Sequence, residues 1–125
     1  MQVKTDTKEK FHVITLPGNS LSASMTEELS NCLLSFLQND VKNVVLVLKD
    51  IQTIDNAAAE TIVKIQQEFY EKKASFVVCE LQKAVENFLN SNELLELMNV
   101  APTESEAADI VQMEEMEREM FDEEN

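Results

Sequence analysis

The sequence predicts an α/β fold, a mixed β-sheet of about four to five strands flanked by about four helices. Three observations predict it. The runs Val44-Val45-Leu46-Val47-Leu48 and Phe76-Val77-Val78-Cys79 are apolar without alternation, the pattern of strands buried on both faces of a parallel sheet. Around them, apolar residues recur at helical spacing instead. The chain also holds one Gly and two Pro, too few left-handed positions for extensive hairpin architecture.

Val3, Thr5 and Thr7 alternate as one face of an edge strand, and Lys8-Glu9-Lys10 turns the chain. Phe11-His12-Val13-Ile14-Thr15-Leu16 then reads as a second strand, rich in aromatic and β-branched residues. Pro17-Gly18-Asn19-Ser20 ends it with loop chemistry. Ser24 and Glu27 have the spacing of a capping box. Met25, Leu29, Cys32 or Leu33, and Phe36 continue a helix from there, closed by Asn39-Asp40. After the run at 44–48 a second helix begins near Asp55, with Ala58, Ile62, Ile65 and Phe69 on one stripe. Glu71-Lys72-Lys73 ends this helix, and residues 74–79 form a buried strand. Val85, Phe88 and Leu89 mark a short third helix, while Leu94, Leu95 and Leu97 extend the apolar surface. Val100 begins a last short strand, Pro102 interrupts it, and Thr103 with Glu106 caps a C-terminal helix of about four turns. Strands alternating with helices imply parallel neighbours joined by crossovers, with the first strand antiparallel to the second.

The 125 residues amount to one ordinary domain over 1–125, with an acidic C-terminal helix and tail from about residue 103. At this size folding buries roughly two-thirds of the unfolded surface, so a core forms without metals or disulfides. The formal net charge is −14, which argues against nucleic acid and against anionic membrane surfaces. The excess is concentrated at the end, where residues 103–125 carry ten acidic residues and one basic one, Arg118. Cys32 and Cys79 lie in apolar runs and read as buried thiols in a reducing compartment, with nothing that asks for a disulfide. The first residues hold no apolar segment of the signal-peptide kind. No run approaches the ~18 apolar residues of a membrane span. A cytoplasmic protein without direct membrane insertion is expected.

Residues 44–97 resemble the STAS domain, the module shared by sulfate transporters and anti-sigma-factor antagonists. A buried strand, here Val44-Val45-Leu46-Val47-Leu48, leads through Ile51-Gln52-Thr53-Ile54 to Asp55-Asn56-Ala57-Ala58, where the family has Asp-Ser-Ser-Gly opening a helix. Phe76-Val77-Val78-Cys79 matches the family's next strand. Val85 to Leu89 matches its following helix, and Ser91-Asn92-Glu93-Leu94 a Ser-Gly-Leu-like turn. The acidic helix after Thr103 also fits. The resemblance implies a STAS-like fold and a non-catalytic function in protein binding. The partner would be an ATPase-fold anti-sigma factor or serine switch kinase. It would dock at the N-terminus of the Asp55 helix (Thr53, Asp55, Asn56, Ala57, Ala58) and at the loop from Asn19 to Ser22, with Asn19 and Ser20 as its contact residues. An alternative is a structural subunit on the cytoplasmic side of a lipid-transporting ABC complex, bound to the transporter ATPase. A homodimer is compatible with either.

One departure stands out. The antagonist branch accepts phosphate on the second Ser of its motif. That position is Ala57, and the first Ser is Asn56, so no phosphosite is expected there. A phosphate at a helix N-terminus would be favoured by the dipole and would add about −1.5 to −2 charge.

Other residues read more plainly. Asp55 is a helix N-cap, with a partner contact as the sharper reading, and Thr53 and Thr61 are ordinary polar surface rather than displaced phosphosites. His12, the one histidine, has neither a nucleophile nor metal-ligand spacing around it. Cys79 reads as a core thiol. Gly18 stands alone, so no phosphate-cradling loop is present. No catalytic, metal or cofactor site is expected. Ile110, Met113, Met116 and Met120 form a rough apolar stripe. Packing on the sheet or a frayed tail is its plain reading, and an adaptable docking face the alternative. The end, Phe121-Asp122-Glu123-Glu124-Asn125, is expected to be mobile.

Overall fold

A computed structural model describes the backbone of residues 2–124 and the side chains of residues 2–120. Of the end expected to be mobile, Phe121-Asp122-Glu123-Glu124-Asn125, the backbone is helical as far as Glu124, while Asn125 and the side chains from Phe121 onward lie outside the described residues. In chain order the elements are β1 (Lys4–Thr7), β2 (Phe11–Thr15), β3 (Ser20–Leu21), a 3-10 turn (Ala23–Met25), α1 (Thr26–Leu34), a second 3-10 turn (Ser35–Gln38) and β4 (Asn43–Val47). Then follow β5 (Thr53–Ile54), α2 (Asn56–Glu71), β6 (Phe76–Cys79), α3 (Lys83–Ser91), a third 3-10 turn (Leu95–Leu97), β7 (Val100–Ala101) and α4 (Glu104–Glu124).

The sheet is five-stranded in the order β1-β2-β4-β6-β7. β1 is antiparallel to β2, and the other neighbours are parallel. This is the predicted mixed sheet flanked by four helices. The three crossovers from β2 to β4 to β6 to β7 all step the same way across the sheet. Because such crossovers are right-handed, their helices fall on one face. Side-chain parity shows this directly. Ile14, Val44, Leu46, Phe76 and Val78 point toward α1, α2 and α3 in one core cluster, with Leu29, Ile62, Ile65, Phe69, Val85 and Leu89. Val13, Val45, Val47, Val77 and Cys79 point the other way and meet Ala107 and Val111 of α4. The apolar runs without alternation thus report two buried faces, as the sequence implied.

The C-terminal helix is longer than the four turns expected, at 21 residues. Its start is as read. Glu106 N–H donates to Thr103 Oγ1 at 3.1 Å. Its second half is held by polar contacts at the N-terminal ends of β4 and β6. Asn43 Nδ2 donates to Glu115 Oε2 at 2.8 Å. Ser75 Oγ donates to Glu114 Oε1 at 2.6 Å. Arg118 donates to Ser75 Oγ at 3.1 Å and to Glu115 Oε2 at 2.8 Å.

Burial pushes the Glu115 carboxyl up, but the bonds from Asn43 and Arg118 outweigh it and hold the group below the usual carboxylate range. A carboxylate depressed on folding stabilises the folded state fully above its unfolded value, about 4.3. That contribution is lost as pH falls through the lower folded value. Urea midpoints measured from pH 7 to acid are therefore expected to fall less steeply for Glu115→Gln than for wild type in that window. Parallel curves would remove Glu115 from the docking of α4.

Two local expectations are corrected. The capping box at Ser24 does not form. Ser24 lies in the 3-10 turn with its hydroxyl 3.0 Å from that of Ser22, and the helix behind it has no side-chain cap. Cys32 is only partly buried, whereas Cys79 is fully buried, and both are free thiols. Burial pushes the Cys79 thiol up to about 12, which leaves little nucleophilic thiolate at neutral pH.

Candidate protein-docking site

The strands β2 and β4 deliver their loops to the same end of the sheet. Leu16 N–H still donates to Val47 O, and Leu48 N–H to Cys79 O. Beyond that point the chain makes a second, two-stranded sheet. β3 pairs parallel with β5, with Ser20 beside Thr53 and Leu21 beside Ile54. Thr53 is thus in a short strand. The amides of Gln52 and Thr53 both donate to Asn19 O, at 2.7 and 3.2 Å, and Asp55 N–H donates to Leu21 O at 3.0 Å. Gly18, at φ +79°, supplies the left-handed turn that brings the loop there.

Asp55 fixes the geometry of this end. Its Oδ1 accepts from Ala58 N–H at 2.9 Å, the N-cap bond of α2. Its Oδ2 accepts from Ala23 N–H at 2.8 Å. One carboxylate therefore caps α2 and the turn leading into α1, two segments about thirty residues apart in sequence. Each free helix-end N–H needs such a partner, and negative charge is favoured at the positive end of the helix.

The structure brings together all seven residues singled out from the sequence. Asn19, Ser20, Thr53, Asn56 and Ala57 are exposed, Asp55 is half-buried, and Ala58 is buried. Ala58 turns into the core cluster, so its part is to seat the helix rather than to face solvent. Asn56 donates to Glu60 Oε1 at 3.0 Å on the open side of the first turn. Thr61 Oγ1 is occupied by the carbonyl of Ala57 at 2.9 Å. Sequence reasoning, which placed the docking loop at Asn19 to Ser22, missed Ala23, whose amide the second oxygen of Asp55 draws onto the same surface. The run Ser20-Leu21-Ser22-Ala23-Ser24, dense in short side chains, was the available signal.

No nucleophile, base and oxyanion donors converge on this surface. His12 is remote from it, with Nε2 donating to Val41 O at 2.9 Å and Nδ1 accepting from Thr7 Oγ1 at 3.0 Å. Among the described residues, no group of three or more His, Cys, Asp or Glu could hold a metal ion. No described helix is long and apolar enough to cross a membrane. The strand order never reverses, so the sheet lacks the crevice in which open α/β folds usually seat nucleotides. A cleft of about 380 Å³ lies at the opposite end of the strands, lined by Glu9, Lys10, Asp40, Lys42, Lys73 and Glu115 among others. Its charges are mixed and it shares no residue with the Asp55 surface.

The chain belongs to the STAS domain family, whose model matches residues 2–107. It is similar in structure to TM1081 of Thermotoga maritima, at 21% identity and a TM-score of 0.78, covering 88% of this chain and 94% of that one. An anti-sigma-factor antagonist (STAS) domain protein of Planctomyces limnophilus matches at 17% identity and a TM-score of 0.75, over 88% of this chain and 97% of that one. The anti-sigma factor antagonist SpoIIAA in its unphosphorylated form matches at 18% identity and a TM-score of 0.69, over 89% and 96%. No curated protein sequence matches the chain. The fold is that of a STAS domain.

Proposed function

We propose that the chain is a non-catalytic, cytoplasmic docking module that binds an ATPase-fold anti-sigma factor or switch kinase. Docking uses the surface of Asn19, Ser20, Thr53, Asn56 and Ala57, held in place by Asp55 and Ala58. The observation that carries this reading is the double cap by Asp55. It holds an exposed helix end with small side chains in fixed register with the 19–24 segment. A rigid surface of this kind binds with little ordering cost. Membership of the STAS family and the antagonist-like fold support the same reading.

The surface is not switchable by phosphate at position 57. Ala57 has no hydroxyl, so the module stays in its binding-competent form. Phosphate gained anywhere within residues 53–61 on treatment with the cognate kinase would overturn this part.

Capture from a lysate of the protein's own organism tests the reading. Wild type is expected to retain an ATPase-fold partner. Ala57→Glu, which sets a carboxylate where the family carries phosphate, is expected to bind it about tenfold or more weakly. Unchanged capture would place binding elsewhere. The same lack of a hydroxyl at 57 favours a second reading, a permanent STAS subunit of a lipid-transporting ABC complex, in which no switch is needed. A transporter ATPase in the captured fraction would select it.

A further inference from the structure

Helix α4 has an outer face that the fold does not use. At 100° per residue, Ala107, Val111, Glu114 and Arg118 share the arc turned to the sheet, as their burial and hydrogen bonds show. Met113, Met116 and Met120 lie on the opposite arc and are 55%, 64% and 63% exposed. Ile110, the first residue of the sequence stripe, is half-buried against the core. The three methionines are therefore not packed on the sheet. A single exposed apolar side chain is ordinary, but three in line along one helix make a continuous stripe.

We propose that this stripe is a second docking face and that its occupant is a basic amphipathic helix of another protein. Charge decides the occupant. Glu106, Asp109, Glu117 and Glu119 border the stripe and are exposed. Arg118, the one basic residue from 103 onward, is turned inward to Ser75, Asn43 and Glu115. A second copy of this chain, at −14, would set carboxylates against carboxylates, and an anionic bilayer would be repelled as well. A helix with apolar residues at i, i+3, i+4 and i+7, flanked by Lys or Arg, meets both features. Its apolar face lies on thioethers that adapt their shape, and its cations lie beside the carboxylates. The stripe is on the opposite side of the sheet from α2, so it is independent of the Asp55 surface.

The probe is a synthetic Leu/Lys amphipathic helix of about five turns, titrated into the full chain labelled at its methionine methyl groups. The methyl signals of Met113, Met116 and Met120 are expected to shift, more at low salt than at high salt. Those of half-buried Met25 and buried Met98 are expected to stay in place. Replacing Met113, Met116 and Met120 together with Gln preserves helix propensity and is expected to weaken binding about tenfold or more, with an unchanged amide spectrum elsewhere. A Leu/Glu peptide of the same pattern is expected to shift nothing. The proposal is overturned if the three methyl signals do not move, if the Gln variant binds equally well, or if sedimentation shows that the chain self-associates through this stripe.

Discussion

Phe69→Ala is expected to destabilise the protein by about 3–5 kcal/mol, the largest effect of any single truncation considered. Phe69 is fully buried near the end of α2 and lies against Phe76 of β6, with ring centroids 5.1 Å apart. It is therefore both the last anchor of the α2 stripe and the contact between that helix and a central strand. Truncation removes the transfer free energy of the ring. It also leaves a cavity that a tightly packed interior closes only in part. A domain of this size has a total stability of roughly 5–15 kcal/mol, so the variant would sit near the edge of folding. Urea denaturation measures the loss. Phe69→Leu, which keeps most of the volume, should lose much less. A midpoint for Phe69→Ala close to that of wild type would mean that α2 is not fixed to the sheet at this end.

Asp55→Ala is expected to cost about 2 kcal/mol, since it strips the acceptor from two amides and each lost cap is worth about 1 kcal/mol. The two amides are Ala58 N–H at the start of α2 and Ala23 N–H at the turn into α1. The loss should be visible locally as well as globally. Hydrogen exchange at Ala23 and Ala58 is expected to quicken more than at Val45 or Val77 in the central strands, because the helix end opens without the sheet. Asp55→Asn retains one side-chain oxygen and should recover part of the loss. Partner binding should weaken in both variants, more in Asp55→Ala, because the two halves of the docking surface lose their common tie. Equal exchange rates in wild type and Asp55→Ala would show that the carboxylate does not hold them together.

The fold was legible because burial leaves a strong periodic mark. The runs at 44–48 and 76–79 are short, apolar and bounded by polar residues, which fits strands covered on both faces. The stripe Ala58, Ile62, Ile65, Phe69 could only be one face of a helix. Long-range pairing left no such mark. β3 and β5 are two residues each, too short to show alternation, and they exist because Asn19 and Thr53 meet in space. The sequence likewise showed one role for Asp55, the cap three residues away, but not the second oxygen reaching Ala23. On α4 the hydrophobic pattern misled for a definite reason. The residues facing the sheet in its second half are Glu114, Glu115 and Arg118, which satisfy Asn43 and Ser75. The methionines, apolar by type, were left outside. All the sequence-chosen site residues converge on one surface, but which of them faces outward required the structure. Ala57 does, while Ala58 does not.

The central claim is that a protein partner docks on the helix end tied down by Asp55. Amide spectra of the labelled chain, recorded as the captured ATPase-fold partner is added, test it most directly. The account predicts broadening or shifts at residues 19–24 and at Asn56, Ala57 and Glu60, with α4 unperturbed. Perturbation confined to α4 or to the β1 edge, with residues 19–24 and 56–60 unchanged at saturation, would contradict it.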